Sequence, residues 1–201
     1  LTRSKKRQDI LDAAIAEFRE HGFAGATMSR IAGRAAVSSR TLYKHFNNKN
    51  ALFDAIVEAA CQSVNGIEIA EPNPDRPLKP QLLQLVKTYV NEVTREEHVA
   101  LDEIATVAFI RDQRLTERAT QHQSNKDHPV YQFVEKASRL GLLSCEQPEF
   151  AARQLLIMIK GFFCTHILLP GELADTTRDK DKVLSDCVDM FLAQYQPHQA
   201  G

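Results

Sequence analysis

The chain has few cysteines, no CxxC pair, no strand-like alternation and no apolar run long enough to span a bilayer. Each absence excludes something. Cys61, Cys145, Cys164 and Cys187 are scattered through 201 residues. They suit a reducing compartment in which each thiol is a small packing residue, and they do not form a disulfide framework. The longest apolar stretch, Leu155 to Leu169, contains Lys160 and His166 and falls short of the roughly 20 residues a membrane helix needs. Thr2 to Asp9 is strongly charged, unlike a signal peptide. These features lead to the expectation of a soluble, cytoplasmic protein with no membrane partner. Enzyme signatures are missing as well: there is no GxSxG, HExxH, P-loop, GxGxxG or Glu-x-x-His pair. No catalytic residue, cofactor or metal is expected. His98 and Asp102 lie four apart but lack a third ligand at metal-site spacing.

What is present is a strong asymmetry of charge. Hydrophobic residues make up 43% and charged residues 25%, ordinary values for a globular protein. The net charge of -1 averages two unlike parts. Residues 1–50 hold ten Lys/Arg against four Asp/Glu, a balance of +6, and residues 51–201 hold fifteen against twenty-two, a balance of -7. A basic head on an acidic body puts any attraction for phosphate in the first fifty residues.

Helical periodicity runs through nearly every segment. The spacing predicts a first helix over 3–21, with Leu11, Ala14, Ile15 and Phe18 on one face, Gly22 at its end and Phe23 packing back. Thr27 and Ser38 are suitable N-caps for a second and a third helix. A fourth runs over 49–64, burying Leu52, Phe53, Ile56, Val57 and Ala60. Pro72, Pro74, Pro77 and Pro80 then force a loop. Helices are expected near 79–95, 97–112, 114–122, 129–140, 148–168 and 179–195, with breaks at Asp127-His128-Pro129, Gly141, Gln147-Pro148 and Pro170-Gly171. The segment 151–169 is apolar on most of its circumference, and a helix apolar all round is buried from every side. A second copy of the chain is the expected cover for it and for 183–195. The fold class is all-α, about nine helices. An N-terminal three-helix helix-turn-helix head over 1–64 carries a connecting helix, 49–64, and is followed by a helical body over 65–201.

The segment 27–46 carries the chemistry. Met28, Ile31, Ala32 and Ala35 recur at helical spacing, Val37 follows a short break, and Leu42 and Phe46 form a second inward face. Between them Arg40, Thr41, Lys44 and His45 cover the outside of a very short helix, an arrangement suited to a major groove. Tyr43, between the inward Leu42 and Phe46, directs its hydroxyl outward. Arg3, Lys5, Lys6 and Arg7 read as a flexible basic arm.

Residues 10–57 resemble the DNA-binding region of the TetR family of bacterial transcriptional regulators. The shared pattern is Ile10-Leu11-x-Ala13-Ala14-x-x-x-Phe18-x-x-x-Gly22-Phe23, then Thr27-x-x-x-Ile31-Ala32. It continues as Val37-Ser38-x-x-Thr41-Leu42-Tyr43-x-His45-Phe46-x-x-Lys49-x-x-Leu52-Phe53. Glu149 to Gln154, through Gly161, resembles the family's first dimerisation helix. The resemblance implies that Tyr43 and Lys49 hold DNA phosphates, that Thr27 adds a backbone contact, and that Ser39, Arg40, Thr41, Lys44 and His45 touch bases or nearby phosphates. Ser29 and Ser38 complete the expected DNA-binding set. The family turn carries glycine where this chain has Ala36, so a positive backbone angle is expected there at some cost.

Together these readings predict a homodimeric, ligand-responsive repressor. It would pair through helices near 148–168 and 179–195, bind a palindromic double-stranded operator and leave it when a small apolar effector binds. Phe109, Tyr131, Phe133, Met158, Phe162 and Phe163 are candidate pocket or core residues in the body; the expected effector set is Cys61, Tyr89, Phe109, Phe133, Met158 and Phe162. Two alternatives stay open on sequence alone: a constitutive DNA-binding factor without effector, and a helical enzyme with a vestigial head.

Overall fold

The computed structural model describes residues 3–95, 98–99, 127–163 and 179–197. Among them every regular element is a helix: α1 (Arg3–Gly25), α2 (Met28–Arg34), α3 (Ser39–His45), α4 (Lys49–Asn65), α5 (Leu78–Val93), α6 (Pro129–Arg139), α7 (Pro148–Phe163) and α8 (Lys180–Tyr195). The all-α class is therefore correct. The helices expected at 97–112 and 114–122 lie almost wholly outside the described residues, as do Phe109, Asp102 and the break at Pro170-Gly171. The chain forms two compact units, residues 1–62 with 96–123 and residues 63–95 with 124–201. The division falls inside α4.

In the first unit, Ile10, Leu11, Ala14 and Phe18 of α1 meet Ile31 and Ala32 of α2, Leu42 of α3, and Leu52, Phe53 and Ile56 of α4. Each large side chain so buried contributes about 1.5–3 kcal/mol, which lets two helices of only seven residues hold their shape. The first run of helix ends at Gly22 as expected: Gly22 takes φ 69° and ψ 163°, a conformation essentially reserved for glycine, and a kink there sets off the short turn that closes α1. Helical hydrogen bonding resumes, with Ala26 N donating to Gly22 O at 3.1 Å. Phe23 packs back as expected, its ring 5.4 Å from Phe18 and 5.2 Å from Phe53.

In the second unit, α5 buries Leu82, Leu85, Val86, Tyr89 and Val90 against Val130, Phe133 and Val134 of α6. The same core takes in Leu155 and Ile159 of α7, and Leu184, Val188 and Phe191 of α8. Lys79 pairs with Asp189 at 2.7 Å and Lys87 with Asp181 at 3.0 Å, linking α5 to α8. The α6 helix starts at His128, whose Nδ1 accepts from Val130 N at 3.3 Å. Within the single chain α7 is covered on one face only, which leaves the other to the cover expected from a second copy. Phe150, Ile157 and Phe162 on α7 and Met190 on α8 are 52–65% exposed in the single chain, because its other face alone packs into the body core.

The proline-containing loop before α5 is held from outside its own sequence. Gln81, on α5, accepts from Asn73 N at 2.7 Å and donates to the carbonyls of Asn73, Arg76 and Pro77 at 2.9, 3.0 and 3.1 Å. This one side chain satisfies loop backbone groups that prolines cannot pair in a helix.

Candidate nucleic-acid interface

The helix-turn-helix is built from two side-chain caps and one backbone turn. Thr27 Oγ1 accepts from Arg30 N at 3.3 Å and starts α2, while Ser38 Oγ accepts from Thr41 N at 3.1 Å and starts α3. Ser38 Oγ also lies 2.9 Å from Thr41 Oγ1. Between them Val37 N donates to Ala32 O at 3.0 Å and Ala36 N to Gly33 O at 3.1 Å, the Schellman pair that ends a helix on a left-handed residue. That residue is Ala36, at φ 52°, so the expected positive angle is present without the family's glycine.

The outer face of α3 is open. Ser39, Arg40 and Lys44 are exposed, Thr41 and His45 are half-buried, and Tyr43 is 52% exposed. Leu42 and Phe46 are buried beneath them. Arg40 and Lys44 make no ion pair with the described residues, so their charge is available to a ligand. Ser29 is exposed on α2. The basic N-terminal segment is helical from Arg3 onward, and the Arg7 guanidinium sits 5.4 Å from the centre of the Phe46 ring.

Other cations of this unit are engaged internally. Lys49 Nζ donates to Ala24 O and Ala26 O, both at 3.1 Å, and lies 4.8 Å from the centre of the Phe23 ring. Burial pushes its pKa below the usual lysine range. Glu17, 1% exposed, pairs with Arg30 and lies 3.6 Å from both Arg34 Nη2 and His21 Nδ1. Arg34 also pairs with Glu20, and holds the Glu20 carboxyl below its ordinary pKa. A lone acidic residue at a helical interior position gave no sequence signal for this network; its arginines lie 13 and 17 residues further along the chain.

The residues expected to line an effector pocket do not share one cavity among the described residues. Tyr89 is 1% exposed in the body core, Cys61 is half-buried and belongs to the first unit, and Phe162 is exposed. Met158 borders a shallow groove of about 300 Å³ with Ile157, Met190 and Tyr195. Phe133 lines a larger cavity of about 700 Å³, together with Ile69, Leu85, Gln84, Thr88 and Arg76. No helix of the described residues is long and apolar enough to cross a membrane.

An open polar helix mounted on a capped turn, above a compact three-helix core, defines a helix-turn-helix DNA-binding domain. The sequence comparisons agree. Residues 10–56 match the model of bacterial regulatory proteins of the tetR family, and residues 80–197 match that of the AefR-like transcriptional repressor C-terminal domain. The chain belongs to the TetR family and is a DNA-binding transcriptional regulator. It is 23% identical over 180 residues to the transcriptional repressor AcnR of Corynebacterium diphtheriae, covering 90% of each chain. A TetR-family regulator from Pseudomonas syringae pv. tomato superposes with a TM-score of 0.79 at 28% identity, over 98% of this chain and 99% of that one. A SmeT–triclosan complex superposes with a TM-score of 0.67 at 27% identity, over 97% and 93%.

Proposed function

We propose that the protein is a homodimeric repressor that binds a palindromic operator through its head, residues 1–64, and is released by a small apolar effector bound to its body, residues 65–201. The observation that carries the dimer is the apolar set left open on α7 and α8. Phe150 and Ile157 are seven residues apart, two helical turns, and with Phe162 and Met190 they form an exposed face that a second copy covers as a four-helix interface. Two heads then meet successive major grooves, about 34–36 Å apart on one side of the duplex. Arg40, Lys44 and His45 reach base edges or phosphates, with Ser29, Ser38, Ser39 and Thr41 beside them. Tyr43, Lys49 and Thr27 hold phosphates.

The cavity beside Phe133 supports the ligand response. Its volume falls in the range of small-molecule sites, and apolar Ile69, Leu85 and Phe133 share its lining with polar and charged side chains, among them Glu68, Glu71 and Arg76. The SmeT neighbour, in its complex with triclosan, binds a compound of that kind. The route to DNA is α4, which carries the chain from Lys49 in the head to Asn65 in the body. A coupling of about 1–3 kcal/mol alters DNA affinity roughly 5–150-fold.

Selection of bound duplexes from a random pool tests the reading, with sedimentation measured on the same protein. A dimer and an inverted repeat are expected. A monomer, or an asymmetric site, contradicts the proposal. On the selected duplex, Arg40→Ala and Lys44→Ala change sequence preference, whereas Tyr43→Phe weakens binding to all sequences alike. Triclosan and a panel of small apolar compounds then probe release, and a duplex that none of them dislodges counts against the effector.

A further inference from the structure

Glu17 is the only charged side chain buried among the described residues. It lies on α1 and is met by two cations of α2. Arg30 Nε donates to one of its carboxylate oxygens, and Arg34 Nη2 lies 3.6 Å from the other. His21 Nδ1, one turn further along α1, is also at 3.6 Å. Each arginine has a second tie to α1, Arg30 to Gly25 O and Arg34 to Glu20. Taking a carboxylate out of water is costly, and an apolar side chain of similar volume is often as stable in its place. Stability is therefore a poor reason for Glu17, and direction is a better one. Apolar contact has no preferred direction. Ile31 and Ala32, the buried residues of α2, press the helix onto the core without fixing its roll. Arg30 and Arg34 stand one turn apart on one side of α2, so a single carboxylate that grips both does fix it. Arg34 is also the last residue of α2, and the left-handed Ala36 that turns the chain toward α3 follows directly after the cap, Ala35.

We propose that Glu17 is a positioning residue for sequence recognition: through Arg30 and Arg34 it sets the orientation of α2, and with it that of α3 in the groove. The assignment rests on α3 as the reading helix. It takes nothing from the phosphate contacts, because a guanidinium has five N–H donors and both arginines keep some of theirs while held.

A ratio of two affinities separates positioning from mere support. One duplex is that which the unaltered protein selects from a random pool, and the other is its scramble, at the same length and salt. Glu17→Leu fills the buried site, releases both arginines and raises the head's net charge by one. Charge alone tightens binding to both duplexes and leaves their ratio as it was. A purely structural role lowers the folded fraction and leaves the ratio as it was too. Positioning reduces the ratio about tenfold, the size of one lost charge-assisted hydrogen bond, because α3 meets the bases misaligned while backbone attraction persists. Glu17→Gln, which keeps an acceptor for Arg30, should restore part of it. An undiminished ratio in folded Glu17→Leu overturns the assignment. Should that variant fail to fold, Arg34→Met decides, since Glu17 then keeps Arg30. A ratio lowered several-fold supports positioning, and equal weakening on both duplexes makes Arg34 a phosphate ligand alone and refutes it. Arg40→Ala, measured alongside, tests the reading helix itself. A ratio unmoved there sinks that reading and this assignment together, whereas a ratio lowered there and intact in Glu17→Leu sinks the assignment only.

Discussion

Head and body end one helix each with the same pair of hydrogen bonds, yet they close it with different residues. In the body, Leu142 N donates to Ala137 O at 2.9 Å and Gly141 N to Ser138 O at 3.0 Å, and Gly141 takes φ 72°. In the head the same two bonds close on Ala36 at φ 52°. The pairing repeats at helix starts, where the head uses Ser38 and the body uses His128. The local geometry is therefore set by the turn, and the residue only decides what it costs. A left-handed alanine costs roughly 1–2 kcal/mol more than an ordinary conformation. The buried anchors on either side, Ile31, Ala32 and Leu42, hold Ala36 where its own preference would not.

The sharpest way to separate the two N-caps is acid. His128 packs 5.3 Å from the Tyr89 ring and 5.6 Å from Tyr131, and burial, reinforced by Lys160, lowers its pKa to about 4. Protonation also converts the Nδ1 acceptor into a donor facing Val130 N–H, at a helix end whose dipole repels cations. The folded pKa lies below the ordinary 6.5, so the contribution is complete above pH 6.5 and is lost as the pH falls through about 4. The loss reaches about 3 kcal/mol. Urea unfolding at pH 7 and pH 4.5 measures it. His128→Asn, which keeps a capping oxygen, should remove most of the difference, and an equal pH dependence in both proteins would exclude His128 as the cause.

A smaller effect distinguishes the two turns. A Cβ at Gly141 meets no other atom within 4 Å, so Gly141→Ala introduces backbone strain alone and should lower stability by about 1 kcal/mol. The reverse exchange, Ala36→Gly, is the smallest. Relief of strain is partly offset by the freer unfolded chain, leaving a gain of about 0.5 kcal/mol. Paired thermal melts check both, and a loss of stability in Ala36→Gly would show that the turn is not strained.

The contrast also marks how far the sequence could be read. Helix ends were legible where a single residue dictates them: Thr27, Ser38, Gly141, and the α6 start ahead of Pro129. Even the Ala36 angle was legible from its departure from the TetR pattern. So was the end of the first helix at Gly22; the short turn beyond it, to Gly25, was not, because it goes with Phe23 packing on Phe18 and Phe53. The cavity beside Phe133 was not, because its wall is a loop shaped by Gln81. The two carbonyls that Lys49 holds were not legible either, since they come from a turn 23 and 25 residues earlier, a distance over which sequence spacing carries no information.

Gln81 has a consequence for how such a protein can change. It grips the loop through main-chain atoms only, those of Asn73, Arg76 and Pro77. A side chain exchanged at 76 leaves every one of those bonds intact. The wall of the cavity can thus be repainted without being rebuilt, and a new chemical could be admitted by substitutions that the scaffold does not feel.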